Sequence, residues 1–150
     1  MPRVVRRRRI AAPAGALWSI IADPYHLPRW WPRTTRVENV SGNEPRGRRW
    51  TQVLETKDGR GIRADYHCVS AASEERYIYE QQVEDGPFSG FLRSSRTEIR
   101  LDPNKSTTEV TLITEQRLKG LSRLGSFMMR RATKRTLSEA LSGLERVAVG

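Results

Sequence analysis

Phenol, amide and hydroxyl side chains recur at every second position through the middle of this chain. Strand alternation puts Gln52, Tyr66, Tyr77, Tyr79, Gln81, Arg93, Ser95, Thr97, Thr114 and Gln116 on one face, beside apolar Trp50, Leu54, Ile62, Ile99 and Leu112. A dry core rejects so many polar groups, because each needs a hydrogen-bond partner. A cavity holding water or a ligand supplies those partners. Apolar walls with a few placed polar groups are the usual make-up of a small-molecule pocket. The competing reading is that several of these residues sit near strand ends and reach solvent.

The expected ligand-facing set is Trp50, Tyr66, Tyr77, Tyr79, Arg93, Ser95, Leu112 and Gln116 from the strands, with Phe127 and Met128 from the last helix. An inward Arg93 would anchor the carboxylate, phenolate or phosphate end of an otherwise apolar ligand. A salt bridge to a neighbouring strand accounts for it equally well. Arg8 shares parity with inward Ile10 and invites the same two readings, with exposure at a strand end favoured. Phe127 and Met128 also fit ordinary core packing. Trp30 and Trp31 are placed to form a lid, where an indole covers an apolar ligand. The alternative has one of them packed beneath the last helix and the other at the surface.

Signals for catalysis are thin. No G-x-S-x-G, P-loop, G-x-G-x-x-G or H-E-x-x-H occurs. His26 and His67 are the only histidines, and alternation turns His67 and Asp65 outward. One cysteine, Cys68, and two distant histidines do not make a metal site. No metal and no cofactor are expected.

The elements that would position these groups read clearly. Val4–Ile10 forms a strand, and Leu17, Ile20 and Ile21 follow at helical spacing after Pro13. Asp23-Pro24 stops that helix, because the residue before proline is driven out of the α region. Pro28 and Pro32 bracket Trp30-Trp31 and keep the next helix short. Thr34–Val40 is a short strand, followed by the loop Ser41-Gly42-Asn43-Glu44-Pro45. A hairpin turns at Lys57-Asp58-Gly59. A two-residue turn would oppose Leu54 to Arg63. A three-residue loop with Gly59 left-handed opposes Leu54 to Ile62 and Trp50 to Tyr66, which keeps one face apolar. The second register is therefore expected. Asp85-Gly86-Pro87 is a turn, Gly90 marks a sheet kink, and Phe91 shares the inward face with Arg93 and Ser95. After Gly120, Leu121, Leu124, Phe127, Met128 and Ala132 form an apolar stripe that Leu137, Ala140, Leu141, Leu144 and Val147 continue. Such a helix is about 40 Å long. Gly125 and Gly143 within it are expected to loosen it locally.

The stretch Val4–Pro32 resembles the opening of the START-like (SRPBCC) superfamily, which includes the polyketide cyclase/dehydrase and lipid-transport families. There a strand ends in an I-x-A-P phrase, a helix carries a V/L-W pair, and an A/S-D stop and a W-x-P-like phrase follow. The matching residues are Ile10, Ala12-Pro13, Leu17-Trp18, Ala22-Asp23-Pro24 and Trp30-Trp31-Pro32. The resemblance implies an α+β helix-grip fold. A curved antiparallel sheet of about seven strands, in the order β-α-α-β6-α, wraps around a long C-terminal helix in one domain spanning residues 1–150. It also implies a cavity between sheet and helix. In the aromatase/cyclase branch, arginine, hydroxyls and tyrosines of the cavity position a reactive polyketide. Tyr66, Tyr79, Arg93 and Ser95 correspond to those by residue type alone, and no motif aligns them.

Composition bounds the rest. A chain of 150 residues, 37% hydrophobic, suits one domain with one core. No apolar run reaches the roughly 18 residues of a membrane span. Arg6–Arg9 before an apolar run imitates a secretory signal, but Trp18 and Asp23-Pro24 stand where a cleavage site belongs. A lone cysteine points to a reducing, cytoplasmic location. Net charge is +10, and lysine stands only at Lys57, Lys105, Lys119 and Lys134, so the other basic residues are arginine. An anionic partner is one reading of that charge. A GC-rich genome and a solvated basic surface are the other, since glutamates are interleaved and no nucleic-acid motif occurs. Three functions compete: binding of a small hydrophobic molecule such as a lipid or polyketide, a polyketide cyclase/dehydrase-type enzyme, and a basic module acting on ribosome, nucleic acid or membrane. The first is preferred.

Overall fold

The computed structural model describes residues 3–84, 86–120 and 122–150. Asp85 of the expected turn and Leu121 at the head of the expected helical stripe lie outside the described residues. The chain runs β1 (Arg3–Ile10), α1 (Ala14–Ile21), a single 3-10 turn (Pro24–His26), α2 (Leu27–Trp30), β2 (Thr34–Ser41), β3 (Arg49–Glu55), β4 (Gly61–Ala72), β5 (Arg76–Gln82), β6 (Leu92–Asn104), β7 (Thr107–Leu118) and α3 (Arg123–Val149). This is the α+β order read from the sequence. The seven strands form one curved antiparallel sheet in the order β1-β7-β6-β5-β4-β3-β2.

Local chemistry explains the punctuation. The Pro13 carbonyl accepts from Ala16 and Leu17 and starts α1. The Asp23 carboxylate accepts from the Tyr25 amide at 3.0 Å and starts the 3-10 turn. Ser122 caps α3 by accepting from the Gly125 amide at 3.1 Å. At the β3–β4 hairpin Gly59 is left-handed at φ 79°, and the Gly59 amide donates to the Thr56 carbonyl. Trp50 then faces Tyr66 and Leu54 faces Ile62. The register is the one that keeps the buried face apolar.

One expectation of parity fails on β6. A register shift falls between Leu92 and Ser94, where Leu92 faces Leu118 and Ser94 faces Arg117. This bulge inserts one residue, and an extra residue reverses which face the preceding side chains take. Leu92 is buried in place of Arg93, which is exposed. Gly90 lies in the turn before β6, and Phe91 donates its amide to the Phe88 carbonyl there. On the outer face Val5, Ile113, Glu98 and Ile78 form a row across β1, β7, β6 and β5. Ile78 and Ile113 are buried within it.

The core lies between the inner face of the sheet and the second half of α3. Leu137, Ala140, Leu141 and Leu144 are buried there, with Ile10, Leu17, Ile99, Val110 and Leu112. Arg8 is on the inner face of β1 and pairs with Glu145 of α3 at 2.9 Å, both half exposed. Trp30 of α2 is buried, whereas Trp31 is half buried. Gly143 does not loosen the helix. A Cβ there would stand 2.3 Å from the Trp30 carbonyl oxygen and 3.1 Å from its Cα, so α2 and α3 touch backbone to backbone.

Gly143→Ala tests this contact by sign. An alanine replacing glycine in an open helix stabilises by about 1 kcal/mol. Here the methyl has no room, and the expected net loss is about 1–3 kcal/mol in denaturant unfolding. A gain in stability would rule out the close approach.

Candidate functional site

Where α3 leaves the sheet, a cavity of about 220 Å³ remains between helix and strands. Tyr66 of β4, Tyr79 and Gln81 of β5, Ser95 and Thr97 of β6, and Thr114 and Gln116 of β7 form its sheet wall. Thr133, Thr136 and Leu137 of α3 form its roof, with Trp31, Leu54 and Phe88 at the sides. Alternation carries each of these strand residues to the inner face. The volume is below the ~300–1,000 Å³ of most small-molecule pockets.

The expected site residues divide on inspection. Tyr66, Tyr79, Ser95, Gln116 and Trp31 line the cavity together. Trp50, Tyr77 and Leu112 are inward but sit in the packed core behind it. Trp50 stacks on Tyr66 with ring centroids 5.8 Å apart and meets Tyr79 edge-on at 5.7 Å. Trp31 in turn meets Tyr79 at 6.3 Å and Trp30 at 5.4 Å. An aromatic cluster therefore closes one end of the cavity. Trp31 also borders an open groove of about 500 Å³ whose walls include Arg29, Arg33 and Arg146. Trp31 thus lines both groove and cavity.

Three expectations are corrected. Arg93 does not enter the cavity. The β6 bulge turns it to an outer groove beside Gln82, Val83 and Glu84. Phe127 and Met128 do not face the sheet either, since both are 60% exposed. The first half of α3 has the right helical period but stands clear of the strands, so its stripe has nothing to bury against. In their place Thr133 and Thr136 supply the helix wall. Their polar character hid them among the residues of an apparent solvent face.

The polar groups also divide. Gln52 donates from Nε2 to Thr34 Oγ1 at 2.8 Å and accepts from Trp50 Nε1 at 3.4 Å, so it is satisfied within the core. Thr97 and Thr114 hydroxyls pair at 3.1 Å. The Thr133 hydroxyl lies 2.9 Å from the Met129 carbonyl and 3.3 Å from Gln116 Oε1. Gln81 differs. Its Nε2 is buried with no hydrogen-bond partner, at a point that borders both the cavity and the outer grooves. An unmatched buried donor costs about 1–3 kcal/mol, which an incoming acceptor would recover.

Among the described residues, no charged side chain lines the cavity. Burial pushes the Tyr66, Tyr77 and Tyr79 phenols well above the ordinary tyrosine range, and each phenol near Tyr79 adds to its shift while the Thr97 hydroxyl opposes it. Burial likewise raises the Cys68 thiol, which sits in the core and stays protonated. The cavity is a neutral chamber of hydrogen-bond donors and acceptors. Among the described residues no group of three or more His, Cys, Asp or Glu could hold a metal ion. No helix there is long and apolar enough to cross a membrane.

The raised phenols carry a pH consequence. Their folded-state pKa values exceed the unfolded value of about 10. Their stabilising contribution is whole below that pH and is lost as pH climbs from there through the folded values. A spectrophotometric titration is expected to withhold the tyrosinate absorbance of these three residues until alkaline unfolding releases it. Ionisation of all tyrosines near pH 10 with the fold intact would contradict their burial.

Known proteins share this architecture. A START superfamily protein from Mycobacterium smegmatis is 15% identical and superposes with a TM-score of 0.77, covering 97% of this chain and 96% of that one. An aromatase/cyclase from a Streptomyces species, strain R1128, is 16% identical with a TM-score of 0.81, covering 98% and 93%. A di-domain aromatase/cyclase of the steffimycin biosynthetic pathway is 13% identical with a TM-score of 0.80. Residues of this chain match 97% of its own length but half of that protein. These likenesses show the fold. No curated protein matches the chain. Residues 1–149 match the polyketide cyclase / dehydrase and lipid transport family, and the chain belongs to that family.

Proposed function

We propose that this protein binds a small, electrically neutral, largely apolar molecule in the cavity between sheet and α3, carrying or sequestering it in the cytoplasm. The observation that carries this reading is the neutral lining with one unmatched donor, Gln81 Nε2. Burying a carboxylate or phosphate in a chamber with no cation is costly. A guest with a carbonyl or hydroxyl oxygen instead satisfies Gln81 while its apolar body meets Trp31, Leu54, Phe88 and Leu137. A neutral polyketide, a quinone or the uncharged part of a lipid has this chemistry. The anionic anchor once expected of Arg93 has no place in it. Trp31 serves as the lid, because swinging its indole joins the cavity to the neighbouring groove and enlarges a chamber now small for most ligands.

A second reading is a cyclase/dehydrase-type enzyme. The Tyr66 and Tyr79 phenols favour it, since both face the cavity and stay protonated. They would hold a substrate carbonyl by hydrogen bonds. Among the described residues no lining side chain accepts a proton at neutral pH, so removal of a substrate proton has no evident base there. Binding is therefore the better-supported function.

Native mass spectrometry and solvent extraction of the purified protein are expected to reveal a neutral guest. Gln81→Leu deletes the unmatched donor, so the unliganded protein should gain stability while affinity for the extracted guest falls about five- to hundredfold. Purified protein that holds no guest and takes up no neutral apolar fluorescent probe would end the binding reading. Turnover of a polyketide substrate that survives Tyr79→Phe and Tyr66→Phe would remove both phenols from any catalytic role.

A further inference from the structure

The first half of α3 presents large apolar side chains to solvent. Leu124 is 67% exposed, and Phe127 and Met128 are each 60% exposed. Their spacing places them on one face of the helix. Single exposed apolar residues are ordinary, whereas clustered ones mark an interaction surface. Residues 123–138 also contain Arg123, Arg130, Arg131, Lys134 and Arg135 and no acidic residue. None of these five forms an ion pair among the described residues. Elsewhere only some arginines pair with carboxylates, as in Arg63–Glu38 and Arg96–Glu80.

We propose that this half of α3 docks on an anionic lipid bilayer surface. Leu124, Phe127 and Met128 enter the boundary between headgroups and acyl chains, and the arginines and lysine around them contact the anionic headgroups. Apolar residues on a strongly basic helix are the combination that interfacial binding requires. Charge complementarity argues against the other occupants. A nucleic acid would satisfy the cations and leave Leu124, Phe127 and Met128 in water. A second copy of this chain would set one basic face against another. The face is also well sited, since Phe127 lies about 9 Å along the helix axis from Thr133, which lines the cavity. A bilayer under this face would lie across the helix from the chamber, and docking does not depend on what the chamber holds.

The test is sedimentation of the full chain with phosphatidylcholine vesicles, with and without phosphatidylglycerol. Binding is expected to the anionic vesicles, to weaken as salt rises, and to be slight on phosphatidylcholine alone. The variant Leu124→Ser/Phe127→Ser/Met128→Ser and the variant Arg130→Glu/Arg131→Glu are each expected to lose at least about tenfold in affinity. Thermal midpoints should stay unchanged, because these side chains are exposed. Phe127→Ser alone provides the same readout if the triple variant does not fold. The proposal is overturned if the parent ignores anionic vesicles. It is overturned equally if the serine variants bind as tightly as the parent, which would mean general attraction to polyanions, or if the parent is a dimer that serine substitution disperses.

Discussion

Everything in this molecule follows from how little of α3 touches the sheet. Leu137, Ala140, Leu141 and Leu144 anchor its second half, and Gly143 lets the Trp30 backbone approach closer than any side chain would permit. Before Leu137 the helix parts from the strands, and Thr133 reaches back only to the Gln116 side chain. A 27-residue helix is stiff and spans about 40 Å, so anchoring one half holds the other half away from the concave surface. The chamber is the space left by that separation. The exposed apolar face further along is the same separation seen from outside.

The chamber's chemistry comes from which polar groups are already matched. Gln52, Thr97 and Thr114 find partners on neighbouring strands and behave as structure. Gln81 does not, and its buried, unmatched donor is the feature on which the proposed recognition rests. Burial keeps the phenols protonated, so the interior offers hydrogen bonds without charge. Charge is confined to the outside, where arginines meet solvent, carboxylates or the anionic surface proposed for α3.

Alternation made most of the sheet legible in advance. The positions of Tyr66, Tyr79, Ser95 and Gln116 follow from a period of two and from the requirement that one face be apolar. The same rule failed at Arg93, because a bulge adds one residue and nothing near Arg93 announces it. The helical period of the stripe is carried by the sequence. Its burial is not, because Leu124, Phe127 and Met128 have the same period whether or not a sheet lies beneath them. Thr133 and Thr136 show the converse. Their polar side chains look solvated until a cavity is known to face them.

By itself, the sequence determined what is local: strand and helix boundaries, the left-handed turn at Gly59, the pairing of Trp50 with Tyr66, and the α+β order of elements. These depend on backbone sterics and on periodicity within a few residues, which the chain carries wherever it folds. The tertiary structure alone decided where the helix leaves the sheet, which amide stays unmatched, and on which side of the wall Arg93 falls. Those outcomes depend on distances between segments far apart in the chain, and contacts of that kind exist only after the chain has closed on itself.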